Sequence, residues 1–180
     1  AFSPTFIAHS RFVTTDLAAA FAFFIGIVYF LLFLENPGWK NVVLAGLAFG
    51  VAQLLKFSLF LLIPVYGLLL ILWILAQTHL RWKNRVNIFF GLLGKTIVIG
   101  IIGIVLIWAV YAYHVWDYPM ERQLRDSEFI LGSFGARELA DFDLWMARIP
   151  FLRPLAQYLL GVLMVVQRVA GGNTTYFLGE

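Results

Sequence analysis

Long apolar runs separated by short polar interruptions are the main feature of this sequence. Four such runs occupy its first part, near residues 17–34, 42–55, 57–76 and 88–113. A helix needs about 20 mostly apolar residues to cross the hydrocarbon core of a bilayer. The pattern therefore predicts an all-α fold, a polytopic transmembrane helical bundle with about four spans over residues 1–116.

The second and third runs adjoin each other and are together too long for one span. Some 35 residues of helix would measure roughly 50 Å, whereas the hydrocarbon core is about 30 Å thick. We therefore expect a break near Lys56 that divides the stretch into two helices. Pro64 then lies inside the third helix and is expected to kink it, because proline has no backbone N–H.

The composition changes at Asp117. Seven acidic and four basic residues lie between Asp117 and Arg148, which predicts a solvated segment with short helices. Residues 117–180 are therefore expected to form an extracytoplasmic loop. Within it, residues 154–169 are expected to form an interfacial helix, because polar residues recur along one side of a short apolar body. That polar side consists of Arg153, Gln157, Gly161 and Arg168.

Three acidic residues in this loop suggest a cation site at first sight. They are Glu138, Asp141 and Asp143. Their spacing matches no complete EF-hand loop, so we expect a solvated helix face instead. No metal ligands are predicted anywhere in the chain.

Composition excludes several classes of function. The chain is 62% hydrophobic and 13% charged, whereas soluble domains are about 45–50% apolar and about 25% charged. This difference excludes a soluble globular domain. The absence of cysteine excludes thiol catalysis and disulfides. The net charge of +3 is spread along the chain, so nucleic acid is not an expected partner. No phosphate-binding loop, nucleophile elbow or zinc-protease motif is present.

The loops also predict an orientation. Arg81, Lys83 and Arg85 form the densest basic cluster, and such clusters favour the cytoplasmic side. Alternation of the spans then puts Asp16, Lys56 and the acidic segment on the outer face.

Asp16 and Lys56 are the two residues whose positions suggest chemistry. Asp16 opens the first apolar run, where it is either an N-cap carboxylate or an outer-face active-site acid. Lys56 lies between two apolar runs, and a charge at membrane depth costs roughly 2.5–3.5 kcal/mol on insertion scales. It either extends to the lipid headgroups or binds an anion such as a lipid phosphate. His9 and Arg11 are further candidates on the same side.

Several segments resemble one family of membrane enzymes. Residues 4–16, which read PTFIAHSRFVTTD, are similar to the segment before a middle helix in membrane glycosyltransferases of the GT-C fold. The resemblance is to bacterial relatives of dolichyl-phosphate-mannose protein mannosyltransferases, which include the lipid A aminoarabinose transferases. Residues 44–64, 150–161 and 172–180 resemble later segments of the family in the same order. Leu55 is a departure, because the family usually has threonine there.

The resemblance implies a reaction. A sugar on a polyprenyl phosphate would pass, with inversion, to a protein, lipid or glycan acceptor, the first case being protein O-glycosylation. Lys56 matches a family lysine near the donor phosphate, and Asp16 matches an acidic residue that lines the active-site cavity. His9 and Arg11 would assist in binding substrate. The main catalytic Asp of the family lies in the first outer loop, expected upstream of Ala1, so this fragment alone is expected to be inactive.

The resemblance also implies a location, partners and cofactors. The location is the bacterial inner membrane, with the active site on its outer side. The partners are the lipid-linked donor, membrane lipids and the acceptor, and the candidate cofactor is a divalent metal or none.

The sequence leaves two other functions open. One is a transporter, with Lys56 and Pro64 marking a broken helix. The lack of an internal repeat argues against it, as does the long outer segment. The other is a non-enzymatic scaffold for envelope polysaccharide assembly, which would share many spans and one long outer loop.

Overall fold

The computed structural model describes residues 15–78 and 81–170. Over these residues all regular structure is helical, which confirms the predicted all-α class. The helices are α1 (Thr15–Glu35), α2 (Trp39–Leu55), a 3₁₀ helix (Phe57–Leu61), α3 (Leu62–Ala76), α4 (Trp82–His114), α5 (Met120–Leu131), α6 (Arg137–Ala147) and α7 (Arg153–Ala170). The described residues divide into a first compact unit that ends at Leu106 and a second that begins at Ile107.

Three helical segments in the described part are long and apolar enough to cross a membrane. They are Asp16–Glu35, Phe57–Ala76 and Trp82–His114. The fourth expected span corresponds to α2, an apolar helix of 17 residues, or about 26 Å at 1.5 Å per residue. The outward side chains of these helices are apolar too, with Phe21 65% and Phe24 63% exposed. Such surfaces are suited to contact with lipid.

The expected break near Lys56 is present. Helix α2 ends at Leu55, and Lys56 is extended, with φ −158° and ψ 127°. The 3₁₀ helix then leads into α3, and Pro64 lies in the first turn of α3. Proline is tolerated in a first turn. The interruption therefore precedes Pro64, and the kink expected at the proline is replaced by the 3₁₀ helix before it.

Aromatic contacts join α1 to α3 in the core of the first unit. Phe30 and Phe33 are completely buried. The Tyr66 ring stacks on that of Phe30, with ring centroids 4.0 Å apart, and the Tyr66 hydroxyl donates a 2.9 Å hydrogen bond to the Gly26 carbonyl. Because Gly26 has no side chain, the tyrosine hydroxyl can approach the backbone of α1.

Glycines allow α2 and α4 to approach closely. A Cβ added at Gly103 would lie 2.4 Å from Phe49 Cδ1, and one at Gly46 would lie 2.7 Å from Ile102 Cβ. Both distances are too short for real contacts. By contrast, a Cβ at Gly100 would meet no atom within 4 Å. Small residues at helix contacts are typical of membrane bundles.

Gly103→Ala should therefore lower the thermal stability of the protein, whereas Gly100→Ala should leave it unchanged or raise it. Alanine ordinarily stabilises a helix by about 1 kcal/mol relative to glycine. A loss of stability in Gly103→Ala would therefore be due to the steric clash. Thermal unfolding of both variants in the same detergent measures the difference. Equal stabilisation by both substitutions would contradict the close contact.

The second unit contains a core formed by α5, α6 and α7. Leu131, Phe134, Ala140, Leu160 and Leu163 form one buried cluster. The helix expected near 154–169 is thus present as α7, and it buries part of its apolar side against protein. Arg153, from its predicted polar side, donates to Gln123 Oε1 (3.0 Å) and to the Tyr118 carbonyl. That arginine therefore ties the start of α7 to α5.

Asp143 departs from the sequence-based expectation. The prediction of a solvated acidic face is wrong for this residue, because its side chain has no exposed surface. Neither carboxyl oxygen has a hydrogen-bond partner. Burial raises the pKa of the Asp143 carboxyl from its ordinary 3.8 to about 7, since removal from water disfavours the ionised form.

The stability of the second unit should consequently fall as pH rises from about 4 to about 7. Below that range the Asp143 carboxyl is protonated in both the folded and unfolded chain, and above it folding must bury a charge. The difference between 3.8 and about 7 corresponds to at most about 4 kcal/mol. Hydrogen-exchange protection of α6 amides, corrected for intrinsic rates, measures this fall between pH 5 and 8.

Asp143→Asn should flatten this pH profile, because the amide mimics the neutral acid. Asp141→Asn is the matched control, since Asp141 is exposed on the same helix. It should retain the parent profile. A parent protein with the same corrected protection at both pH values would contradict the buried ionisation.

Candidate functional site

The backbone around Lys56 is fixed by a buried amide. Gln53 is 2% exposed, and its Nε2 donates a 2.9 Å hydrogen bond to the Leu59 carbonyl. The Lys56 N–H donates to the Ala52 carbonyl, and the Lys56 carbonyl accepts from the Leu59 N–H. Both backbone polar groups of Lys56 are thus satisfied inside the protein, as an apolar surrounding requires. These hydrogen bonds fix the backbone of Lys56 at the C-terminal end of α2.

The Lys56 ammonium forms an ion pair with the Asp16 carboxylate. Lys56 Nζ donates to Asp16 Oδ1 across 40 residues of sequence. Asp16 lies in the first turn of α1, where the helix dipole favours a negative charge. The Lys56 side chain is 35% exposed and that of Asp16 is 68% exposed. The pair is thus accessible from solvent.

This ion pair is a weak source of stability. Exposed pairs contribute about 0–1 kcal/mol, and the Lys56 and Asp16 side chains are 35% and 68% exposed. The pair therefore adds little to the stability of the first unit.

The structure brings together two of the four predicted site residues. Asp16 and Lys56 are in contact, while His9 and Arg11 lie outside the described residues. Lys95, a lysine within the apolar helix α4, donates instead to the Pro37 carbonyl in the turn between α1 and α2. That turn is at the end of α1 opposite to Asp16. In the described ranges 15–78 and 81–170, no group of three or more His, Cys, Asp or Glu residues is placed to hold a metal ion.

Sequence reasoning missed Gln53. Its signal was present, since an isolated glutamine within an apolar run must find a hydrogen-bond partner. The sequence did not indicate that this partner is the Leu59 carbonyl on the far side of the break.

An apolar groove lies between α1 and α2 and extends to the residue before Lys56. Its volume is about 270 Å³. Its lining includes Phe21 and Leu55 at the ion-pair end, and Tyr29 and Leu44 further along the helices. An ammonium group next to such a groove is suited to an amphiphile with an anionic head and an apolar chain.

Comparison with known proteins identifies the family. A family model described as dolichyl-phosphate-mannose-protein mannosyltransferase matches residues 1–119. The matched region includes both Asp16 and Lys56. No curated protein and no solved structure matches the chain. With most of its length matched and with three helices able to cross a membrane, this chain belongs to the dolichyl-phosphate-mannose-protein mannosyltransferase family of membrane glycosyltransferases.

Proposed function

We propose that the protein transfers a sugar from a polyprenyl-phosphate donor to an acceptor hydroxyl at the extracytoplasmic face of a bacterial inner membrane. The observation that carries this proposal is the solvent-accessible pair of Lys56 and Asp16 at the end of an apolar groove. Family membership supports the reaction class. The acceptor is a protein in the family name, and lipid or glycan hydroxyls offer the same chemistry.

Lys56 is assigned to the phosphate of the donor. The donor phosphate is a diester with one negative charge, and departure of the sugar leaves a polyprenyl phosphate with a second negative charge. A fixed ammonium group stabilises that developing charge, and such electrostatic stabilisation contributes strongly to catalysis. The leaving group therefore needs no proton donor.

The proposed step is a displacement at the anomeric carbon. The acceptor oxygen forms a bond to C1 while the bond from C1 to the phosphate oxygen breaks, and the electron pair of that bond stays on the phosphate. Attack from the opposite side inverts the configuration. The acceptor proton passes to a general base.

Asp16 is assigned to the same cavity as an accessory acid. In the absence of donor its carboxylate holds the Lys56 ammonium, which otherwise has many rotamers. When the donor phosphate binds Lys56, Asp16 becomes available to accept hydrogen bonds from sugar hydroxyls. The apolar groove between α1 and α2 accommodates the first isoprene units of the donor.

Replacement of Lys56 by alanine should reduce kcat/KM for a polyprenyl-phosphate sugar by about 10- to 100-fold, the usual effect of losing one hydrogen bond to a charged group. Release of labelled polyprenyl phosphate by the full-length protein in membranes is the measurement. Near-normal turnover would exclude the phosphate-binding role.

Two variants serve as controls for that experiment. Lys56→Arg retains a cation and should recover part of the lost activity. Lys95→Ala removes a lysine of α4 that contacts Pro37, at the end of α1 opposite to Asp16. This variant should retain the parent rate. An equal loss in Lys95→Ala would show that the assay reports general damage to the membrane bundle.

Asp16→Asn should lower turnover while leaving the melting temperature nearly unchanged. The exposed pair contributes about 0–1 kcal/mol to stability, so folding does not depend on this carboxylate. Parallel activity and thermal unfolding measurements separate the two roles. A variant that is fully active but less stable would show that Asp16 only stabilises the start of α1.

A further inference from the structure

Helix α6 exposes an apolar stripe to its surroundings. Leu139, Phe142 and Trp145 are 47%, 49% and 51% exposed. They are spaced three residues apart, so they lie along one side of the helix. The rings of Phe142 and Trp145 stack, with centroids 5.7 Å apart and planes 23° apart. We call these three residues and the exposed Phe151 the aromatic surface.

A direct contact joins Phe151, one member of this surface, to the end of α4. Trp108 Nε1 donates a 2.7 Å hydrogen bond to the Phe151 carbonyl, and the two ring centroids are 5.2 Å apart. Trp108 precedes the last residue of α4, His114, by six residues, or about 9 Å along the helix. The turn between α6 and α7 therefore reaches back alongside the last residues of α4, from Trp108 onward.

The end of α4 has the composition of a membrane boundary. Tyr113 is 82% exposed, and Trp116, just beyond the helix, is 83% exposed. Tryptophan and tyrosine are enriched where hydrocarbon meets headgroups. Phe151 is 67% exposed and is held at the level of Trp108, so it lies at this boundary or below it.

An arginine next to the stripe favours lipid as the occupant. Arg148 follows Trp145 by three residues and is exposed. Aromatic side chains beside a cation are typical of helices that lie in the interface, where the rings enter the acyl boundary and the cation meets phosphate groups. The stripe is also narrow, because exposed Asp141 flanks it on the same helix.

We propose that the aromatic surface inserts into the headgroup region of the leaflet at the C-terminal end of α4 and anchors the second unit to the membrane. The membrane contact thus includes α6 and the turn after it, and not only α7, which the sequence indicated. The inference is independent of the reaction proposed above.

Spin labels on single cysteines test this placement. Phe142, Trp145 and Phe151 are replaced by cysteine one at a time in the full protein, and this part of the chain adds no competing thiol, because residues 1–180 contain no cysteine. The labelled proteins are reconstituted in vesicles of phosphatidylethanolamine and phosphatidylglycerol. Collision rates with oxygen, which enters lipid, and with a water-soluble nickel chelate are then measured.

The matched controls are Asp141→Cys on α6 and Arg125→Cys on α5, both at exposed positions. We expect the oxygen-to-nickel ratio at 142, 145 and 151 to exceed the control ratio by about fivefold, because interfacial side chains lie within the acyl boundary. Ratios equal to the controls would place the surface in water and overturn the proposal. Low collision rates with both reagents would overturn it in favour of protein covering the surface.

All three positions are exposed, so their replacement removes little core packing. Circular dichroism of each labelled protein verifies that the helix content is retained. A second measurement compares the same labelled proteins in vesicles with and without phosphatidylglycerol. If the oxygen-to-nickel ratio of the labels at 142 and 145 equals the control ratio in both kinds of vesicle, insertion is excluded.

Discussion

The interruption of the helix at Lys56 is the constraint on which the candidate site depends. In a continuous helix, the lysine side chain would extend from the middle of a long apolar stretch. The buried Gln53 amide instead bonds the Leu59 carbonyl and satisfies the backbone that the break would leave without partners. The break thus puts the ammonium at a helix end, within reach of the Asp16 carboxylate in the first turn of α1.

The two units contain buried polar side chains that differ in whether they have hydrogen-bond partners. In the first, Gln53 and Tyr66 are buried with hydrogen-bond partners, and the charged pair of Lys56 and Asp16 is left open to solvent. In the second, Asp143 is fully buried without a partner. Such a carboxyl avoids the cost of a buried charge only by remaining protonated.

Sequence patterns predicted what depends on length and hydrophobicity. The excess length of the stretch over residues 42–76 required a break, and the structure has one at Lys56. The orientation of α6 was not predictable in this way, because its buried side contains Ala140, Asp143 and Ala147, whereas Phe142 and Trp145 face outward. Where the surroundings include lipid, apolar side chains need not mark the protein core. The buried side of such a helix can then not be identified from hydrophobicity alone.

The exposure of the Lys56–Asp16 pair supports the proposed role of Lys56 in phosphate binding. A deeply buried pair would require several kcal/mol to separate, and an incoming phosphate would have to supply that energy. With the two side chains 35% and 68% exposed, water already competes for both charges. In the proposed binding step, a phosphate replaces the carboxylate at Lys56 with little loss of stability, and the carboxylate remains close enough to accept hydrogen bonds from hydroxyl groups of the same ligand.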